Sequence, residues 1–165
     1  MDAPIEIVDF DTQDIAPANA LTNRYILETP IHFGYTAASE ADFARLWSAG
    51  RDRFPWLAAR IGGEFAGYAK AATWRERDAY RFTAETAVYV TDQFQRRGVA
   101  RALYAELLKR LKEQGIKVAV AGITIPNDPS IRLHEAMGFR KVGQFERCGL
   151  KFDRWWDVGF WQIDL

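Results

Sequence analysis

The order of elements predicted around residues 83–125 constrains the fold most strongly. Polar and apolar side chains alternate over residues 83–90, which predicts a strand, and a turn containing Gly98 follows. The next segment, which Gly115 ends, has apolar side chains at helical spacing: Ala100, Leu103, Tyr104, Leu107, Leu108 and Leu111. Residues 118–125 are almost continuously apolar, as in a buried strand. The segment therefore predicts a βαβ unit with parallel strands and a right-handed crossover.

The turn between the first strand and the helix of this unit is basic and contains glycine. It spans residues 95–101 and includes Arg96, Arg97 and Arg101. Backbone N–H groups converge at a helix N-terminus, where the helix dipole also favours negative charge. The turn therefore predicts a site for a phosphorylated ligand; a solvated basic helix start is the alternative interpretation. No Gly-x-x-x-x-Gly-Lys or Gly-x-Gly-x-x-Gly motif occurs, so the residues of a P-loop or a Rossmann site are missing.

Length and charge limit the kinds of protein that this chain can be. With 165 residues and 48% hydrophobic content, it is expected to form a single domain over residues 1–165 with a real core. The 22 basic and 22 acidic side chains cancel. Because there is no global basic field, we expect neither nucleic acid nor a membrane as a partner. A small-molecule or protein substrate remains.

Cysteine and histidine are too scarce for a metal site. Cys148 is the single cysteine, and the two histidines, His32 and His134, are far apart in sequence, so we expect neither a disulfide nor a Cys/His zinc cluster. No segment approaches about 18 consecutive apolar residues, and residues 1–4 carry no signal-peptide pattern. These observations predict a cytoplasmic protein whose chemistry runs without a protein-bound metal.

The rest of the chain supplies further strands and helices. Strands are predicted at residues 5–10, 56–60, 65–73, 139–145 and 155–163, and helices at residues 12–27, 39–50 and 127–138. Gly62-Gly63 predicts a hairpin, and residues 29–38 form a loop that is expected to reach the active site. The complete order is that of an α/β fold, with a mixed central sheet and helices on both faces.

Motifs spread along nearly the whole chain share the pattern of a known enzyme family. They are Trp74-Arg75-x-Arg77-x-x-Tyr80, Thr83-Ala84-Glu85-x-x-Val88-Tyr89-Val90, Gln95-Arg96-x-Gly98, Ile125-Pro126-Asn127-Asp128-Pro129-Ser130, Arg132-Leu133-His134-Glu135-Ala136 and Trp156-Asp157-Val158-Gly159-Phe160-Trp161-Gln162. Together they resemble the GCN5-related N-acetyltransferase (GNAT) superfamily, and within it the phosphinothricin and methionine sulfoximine acetyltransferases. The resemblance implies the acetyltransferase fold, with acetyl-CoA as the cosubstrate and no metal.

The resemblance assigns acetyl-CoA to the first strand and the turn of the βαβ unit. The main chain of Val88 and Val90 is expected to pair with the pantetheine amides, as a strand edge pairs with a peptide. Asn127 is expected beside the same arm. The residues expected to bind the cofactor are Val88, Tyr89, Val90, Gln95, Arg96, Arg97, Gly98, Val99, Ala100, Arg101 and Asn127.

Glu85 is the candidate general base. A carboxylate in an otherwise apolar strand is costly to bury unless it is paired or functional, and desolvation would raise its pKa toward a value useful for removing a proton. From the alternation alone, a strand residue on a watery face is an equally good interpretation. The similarity to the family at Thr83-Ala84-Glu85 favours catalysis.

His134 is the second candidate catalytic residue. It lies where many members of the superfamily carry a tyrosine that protonates the leaving thiolate, and histidine has a pKa near neutrality. A structural role for a lone helical histidine is the alternative. Tyr104 is a rival proton donor, but its position in the apolar stripe favours core packing.

The resemblance also implies substrate-binding residues, which are Phe33, Arg75, Arg77 and Tyr80. Cations and an aromatic wall suit a compact amino acid that bears a carboxylate and a second anionic or sulfoximine group. The alternative is that residues 75–78 form a surface loop with self-paired charges. Ala87 and the residues around Phe33 depart from the family pattern, which affects the substrate more than the reaction.

These observations predict an N-acetyltransferase that transfers the acetyl group directly to the amine of a small amino-acid-like substrate. A peptide N-terminus or another metabolite amine is the alternative acceptor, and a non-catalytic CoA-binding module is the alternative class of protein. Glu85 favours the enzyme, because a sensor would not need that carboxylate. Cys148 has no local acid–base partner and is expected to be inert.

The aromatic C-terminal region predicts a homodimer. Trp155, Trp156, Phe160 and Trp161 offer more apolar surface than one small domain easily hides. We expect part of it to form a contact between two copies of the chain.

Overall fold

A single mixed sheet of seven strands carries four α-helices in the computed structural model, which describes residues 3–165. The strands are β1 Ile5–Asp9, β2 Trp56–Ile61, β3 Glu64–Thr73, β4 Thr83–Val90, β5 Val118–Ile125, β6 Arg140–Lys151 and β7 Arg154–Asp164. The α-helices are α1 Ile15–Glu28, α2 Glu40–Gly50, α3 Val99–Glu113 and α4 Asp128–Ala136. The predicted order of strands and helices is confirmed. Met1 and Asp2, which belong to the N-terminal expectation, lie outside the described residues.

The order of strands across the sheet is β1-β2-β3-β4-β5-β7-β6. Strands β4 and β5 are parallel, and the other neighbours are antiparallel. Helix α3 connects the two parallel strands, so the predicted βαβ unit is confirmed.

Helices cover both faces of the sheet. On the first face, α1 and α2 pack on β2 and β3 through a cluster that includes Phe10, Leu21, Phe43, Trp47, Trp56 and Tyr68. On the second face, α3 packs through Leu103, Tyr104, Leu107 and Leu111 against alanines of β3 and β4. This arrangement confirms the α/β fold with helices on both faces.

Local sequence explains where the helices begin. Ser39 is the N-cap of α2, and its hydroxyl accepts a hydrogen bond from Asp42 N at 3.1 Å. The predicted helix at 12–27 begins instead with a 3₁₀ turn, because Asp11 and Asp14 form a reciprocal capping box ahead of α1. The carboxyl of Asp14 is buried and paired with Arg60 at 2.5 Å.

Strand β6 is longer than the sequence predicts, since the predicted strand ended at residue 145. The pairing with β7 shifts register between Phe145 and Gly149, and Arg147 there has a φ of 48°. A bulge of this kind interrupts the alternation of side chains, so the pattern breaks although the strand continues. Asp157 of β7 supports the bulge by accepting a hydrogen bond from Arg147 N at 2.8 Å.

The two parallel strands pair over only three residues each, 83–85 with 118–120. Beyond this point β5 pairs with β7 and β4 pairs with β3, so the second half of β4 has a free edge on its β5 side. Helices α3 and α4 follow the carboxyl ends of β4 and β5. The separation of the strands therefore opens a gap next to two helix N-termini.

The loop after α1 is fixed to the hairpin of β6 and β7 by one lysine. The ammonium of Lys151 is 4% exposed and donates hydrogen bonds of 2.5–2.8 Å to three main-chain carbonyls, those of Ile26, Thr29 and His32. Three N–H donors thus meet three acceptors. The hydroxyl of Tyr35 donates to Leu150 O in the same hairpin.

Among residues 3–165, no helix has the length and apolar content that crossing a membrane requires.

Replacement of Gly67 tests the close contact between β3 and β4. A Cβ atom at Gly67 would lie 2.4 Å from Tyr89 O, which is main chain and cannot move aside cheaply. We expect Gly67→Ala to lower the free energy of unfolding by about 1–3 kcal/mol, as measured by urea denaturation. Gly143→Ala is the control, since a Cβ there meets nothing within 4 Å. Equal stabilities of the two variants would contradict the contact.

Candidate active site

A cleft of about 600 Å³ lies beside the second half of β4, at the first turns of α3 and α4. Every residue predicted to bind the cofactor lines it, apart from Arg97. These lining residues are Val88, Tyr89, Val90, Gln95, Arg96, Gly98, Val99, Ala100, Arg101 and Asn127. The residues that the sequence assigned to one site are therefore neighbours in the structure.

The turn before α3 leaves backbone N–H groups available to a ligand. Gly98 is the N-cap of α3 with a φ of 87°, a left-handed conformation that glycine adopts without a side-chain clash. Because Gly98 has no side chain, nothing from the N-cap occupies the first-turn N–H groups. The helix therefore presents free donors and its positive dipole end to the cleft.

The arginines of this turn have different surroundings. Arg96 and Arg101 line the cleft. The guanidinium of Arg97 lies 5.4 Å from the ring centroid of Phe94, a residue that is buried under the turn. Two of the three predicted arginines therefore add positive charge to the cleft wall.

A second helix N-terminus reaches the same cleft. Asn127 is the N-cap of α4, and its Oδ1 accepts a hydrogen bond from Ser130 N at 3.4 Å. Pro129 stands in the first turn, where its missing N–H costs nothing. Two helix dipoles with their positive ends at one cleft favour an anionic ligand there.

One wall of the cleft comes from α1, which the sequence patterns did not predict. The lining residues not predicted are Arg24, Tyr25, Thr29, Ile31, Asp92, Phe94, Pro129, Ser130 and Leu133. The ring of Tyr25 packs on that of Tyr89 with centroids 5.1 Å apart, which brings α1 to the free edge of β4. Helical periodicity identified the apolar side of α1, but no local signal indicates which strand a helix will cover.

Glu85 lies on the first face of the sheet, over Gly122 of β5. Its Oε1 is 3.8 Å from the position that a Cβ of Gly122 would take. Burial raises the pKa of the Glu85 carboxyl above its ordinary value, and the charges of Lys70 and Arg75 offset part of that rise. A half-buried carboxylate with a raised pKa is a better proton acceptor than an ordinary glutamate.

Aromatic rings surround Glu85 on the first face of the sheet. Phe160 packs edge-on against Trp74 and Phe145, with ring centroids 5.6 and 5.7 Å apart. The ring of Phe33 lies directly on Gly149 of β6, since a Cβ at Gly149 would be 2.2 Å from it. The loop after α1 and the β6–β7 hairpin therefore close this side together.

The four predicted substrate residues occupy different surroundings. Arg75 lies close enough to Glu85 to affect its pKa, and its guanidinium stacks 5.0 Å from Trp74. Arg77 and Tyr80 lie on an exposed 3₁₀ segment, and none of the four residues lines the cleft. Within residues 3–165, no ion pair joins the charged side chains at positions 75–78 to one another.

His134 is buried on the second face, on the other side of the sheet from Glu85. Its Nδ1 donates to Ser130 O at 2.7 Å, so its Nε2, 3.0 Å from the Tyr104 hydroxyl, is the acceptor of that pair. Burial lowers the pKa of His134, and the Ser130 hydrogen bond raises it back in part. Burial raises the pKa of Tyr104 well above its ordinary value. Both side chains are therefore neutral at pH 7.

The described residues, 3–165, include no cluster of three or more His, Cys, Asp or Glu side chains placed to hold a metal ion. Cys148 is free and exposed on β6, in the bulge.

Comparisons with known proteins agree with this geometry. Residues 19–139 match the model of the acetyltransferase (GNAT) family. A phosphinothricin N-acetyltransferase of Streptomyces viridochromogenes is 40% identical, over 98% of this chain and 88% of that protein. An L-methionine sulfoximine/L-methionine sulfone acetyltransferase of Salmonella typhimurium is 34% identical, over 94% and 91%.

A solved structure has the same fold with the cofactor bound. It is a GNAT superfamily phosphinothricin acetyltransferase of Sinorhizobium meliloti in complex with acetyl-CoA, with a TM-score of 0.94 and 30% identity, over 98% of this chain and 88% of that one. The family model covers well over half of the chain, and the relatives cover nearly all of it. This chain therefore belongs to the GNAT family of acetyltransferases.

Proposed function

We propose that this chain is an acetyl-CoA-dependent N-acetyltransferase that acetylates the amine of a small amino-acid-like acceptor of the phosphinothricin or methionine sulfoximine and sulfone type. One arrangement around strand β4 carries the proposal. On one side of β4, its free main-chain edge lies next to the N-termini of two helices, α3 and α4. On the first face of the sheet, β4 carries Glu85, a carboxylate with a raised pKa. The names of the relatives support the class of acceptor.

The positive charges and helix N-termini of the cleft support acetyl-CoA as its ligand. The first turn of α3 would hold the pyrophosphate, with Arg96 and Arg101 adding charge-assisted contacts. The free edge of β4 at Val88 and Val90 would pair with the pantetheine amides, and Asn127 would flank the same arm. When bound, acetyl-CoA supplies an activated acetyl thioester.

Glu85 would remove a proton from the acceptor ammonium, directly or through a water. Because its pKa is raised, the carboxylate binds a proton more strongly than an ordinary glutamate does, which favours its role as a base. His134 is proposed to protonate the departing thiolate in its imidazolium form: a proton taken from solvent onto Nε2 passes to the Tyr104 oxygen, and the proton of the Tyr104 hydroxyl goes to the thiolate. A purely structural role for this buried pair is the competing explanation.

The acceptor would lie on the first face, beside Glu85. Arg75 and Arg77 would hold its anionic groups, and Tyr80 and Phe33 would supply aromatic walls. Arg75, next to Glu85 and Trp74, is the best supported of the four. We place the reaction in the cytoplasm, a reducing compartment in which the free Cys148 is stable.

We also propose a homodimer that forms through the β6–β7 hairpin. Trp161, which the sequence assigned to this surface, is only 2% exposed and belongs to the core. The exposed apolar side chains of the hairpin are instead Val142, Phe145, Leu150, Phe152 and Trp155. Several large exposed apolar side chains on one hairpin are typical of an interaction site.

Substitution of Gly98 tests the cofactor site. The carboxylate introduced by Gly98→Asp would sit at the helix N-terminus and compete with the pyrophosphate for the same N–H groups. We expect calorimetry to detect no acetyl-CoA binding by a folded Gly98→Asp variant. Gly115→Asp is a matched control, because Gly115 has a similar φ of 85° at the other end of α3 and open space around it. Unchanged affinity in Gly98→Asp would refute the placement.

Substitution of Glu85 tests the general base. Glu85→Gln keeps the shape but cannot accept a proton, so kcat should fall about 10²–10⁴-fold while acetyl-CoA affinity barely changes. Because the pKa of Glu85 is raised, activity of the parent should fall as the pH drops below a value higher than that of an ordinary glutamate. The pH–rate profile of Glu85→Gln should lack this fall in activity at low pH.

The same profile separates His134 from Glu85. If His134 titrates during turnover, His134→Asn should remove one limb of the profile, whereas a structural role would only lower its height. For the Glu85 prediction, the contradicting result is a Glu85→Gln enzyme whose activity stays within a few fold of the parent at every pH. That result would show that Glu85 is not the general base.

A panel of acceptors tests the function and the substrate class together. We expect phosphinothricin, methionine sulfoximine and methionine sulfone to be acetylated in preference to spermidine, whose positive charges Arg75 and Arg77 would repel. Arg77→Glu should raise the Michaelis constant for these amino acids far more than that for acetyl-CoA. Lys112→Glu is the control, since Lys112 is exposed on α3.

The outcomes of this panel separate the alternatives. Preference for a polyamine or a peptide N-terminus would overturn the proposed acceptor and keep the acetyltransferase activity. Acetyl-CoA binding without thiol release for any amine would instead indicate a non-catalytic module.

Light scattering tests the homodimer. We expect the mass of a dimer at micromolar concentration, and a shift toward monomer in Trp155→Glu, because a charge would be buried in the contact. Leu46→Glu is the control, since Leu46 is 52% exposed on α2, away from the hairpin. A monomeric parent, with or without acetyl-CoA, would contradict the proposal.

A further inference from the structure

Lys70 lies on the same face of the sheet as Glu85. In the antiparallel pair of β3 and β4, Lys70 is opposite Ala87 and Ala72 is opposite Glu85. Residues directly opposite each other share a face, so Lys70 and Glu85 are diagonal neighbours, which stand about 7–8 Å apart along such a pair. The two side chains therefore border the same space.

The ammonium of Lys70 has no direct polar partner among the described residues. Its Nζ lies 4.8 Å from the ring centroid of Trp56, and the side chain is half-buried. Within residues 3–165, no hydrogen bond and no ion pair shorter than 4.0 Å reaches this nitrogen. Burial lowers the pKa of Lys70, and the charge of the nearby Glu85 offsets part of that lowering. An ammonium has three N–H donors, so all three remain available to a ligand or water.

The charges around Lys70 do not neutralise it locally. Glu85 is also affected by Arg75, and the nearby His32 has a lowered pKa because of its burial and of the charges of Lys151 and Lys70. His32 is therefore neutral at pH 7. One carboxylate thus faces two cations, Lys70 and Arg75, and the space between them favours one further negative charge.

We propose that Lys70 binds the α-carboxylate of the acceptor amino acid and so determines the selection of amino acids over simple amines. The inference rests on the proposed function, because it requires an acceptor whose amine lies beside Glu85. In an α-amino acid, the carboxylate is attached to the carbon that bears the amine, so an amine at Glu85 brings the carboxylate toward the neighbouring Lys70. Arg75 and Arg77 then remain for the group at the far end of the acceptor side chain.

With Lys70 in this role, an acceptor that has no carboxylate should bind poorly. Lys70 would then face a cationic amine in a half-buried site with no counter-charge from the acceptor, which is unfavourable. The lysine therefore selects by attraction to one class of acceptor and by repulsion of the other.

Kinetics with a matched pair of acceptors tests the proposal. We would measure kcat/KM for methionine sulfone and for its carboxamide, which keeps the amine and the sulfone but loses the carboxylate charge. The parent should prefer the carboxylate roughly 10- to 100-fold, as expected for one charge-assisted contact. Lys70→Met, which has a similar length and no charge, should lose most of this preference, and Lys70→Arg should keep part of it.

Arg77→Met serves as the comparison, because it should retain the ratio between carboxylate and carboxamide. A preference that survives in Lys70→Met and disappears in Arg77→Met would overturn the proposal and assign the carboxylate to Arg77. Circular dichroism and acetyl-CoA affinity verify that each variant is folded. If Lys70→Met does not fold, Lys70→Gln removes the charge and keeps a polar group.

A binding measurement without turnover separates this inference from the proposed function. The des-amino acid of methionine sulfone keeps the carboxylate but has no amine to acetylate. Calorimetry should detect its binding to the parent and a loss of at least about tenfold in Lys70→Met. Binding that depends on Lys70 in a protein that acetylates no amino acid would refute the proposed function alone. Normal turnover with binding independent of Lys70 would refute the inference alone.

Discussion

The short parallel pairing of β4 and β5 is the constraint on which the rest of the site depends. Three residues of each strand are paired, and then the strands separate. Had the pairing continued, the main chain of β4 would be satisfied by β5, and no cleft would lie between α3 and α4. The separation leaves backbone donors and acceptors that need partners, and the cost of leaving them unpaired is recovered only when water or a ligand binds there.

The two faces and the free edge of strand β4 carry different groups of the site. Glu85 lies on the first face with Lys70, whereas Thr86, one residue later, lies on the second face, 3.4 Å from the Tyr104 hydroxyl. The edge at Val88 lines the cleft. A strand alternates its side chains with a period of two. In the proposed function, a few residues of β4 would therefore serve an acceptor, a buried proton network and a cofactor without interfering with one another.

Local patterns predicted the parts of the fold and the site that local chemistry determines. The strands, the cap at Ser39 and the turn at Gly98 depend on neighbours in sequence, so alternation, capping residues and glycine were sufficient to find them. The wall from Tyr25 and the burial of Trp161 depend on contacts between distant segments, which no periodicity encodes. Lys70 was not predicted for the same reason, because it is a neighbour of Glu85 only through the pairing of β3 with β4.

The lysine that joins the hairpin to the loop after α1 has a consequence for how such a chain can change. All three acceptors of the Lys151 ammonium are main-chain carbonyls, so the anchor does not depend on which side chains stand at positions 26, 29 and 32. Substitutions in this loop can alter the ring or the polar groups that would face the proposed acceptor, while the path of the loop stays fixed. The loop is thus free to vary in chemistry without losing its shape, which is the property that allows one scaffold to acquire new acceptors.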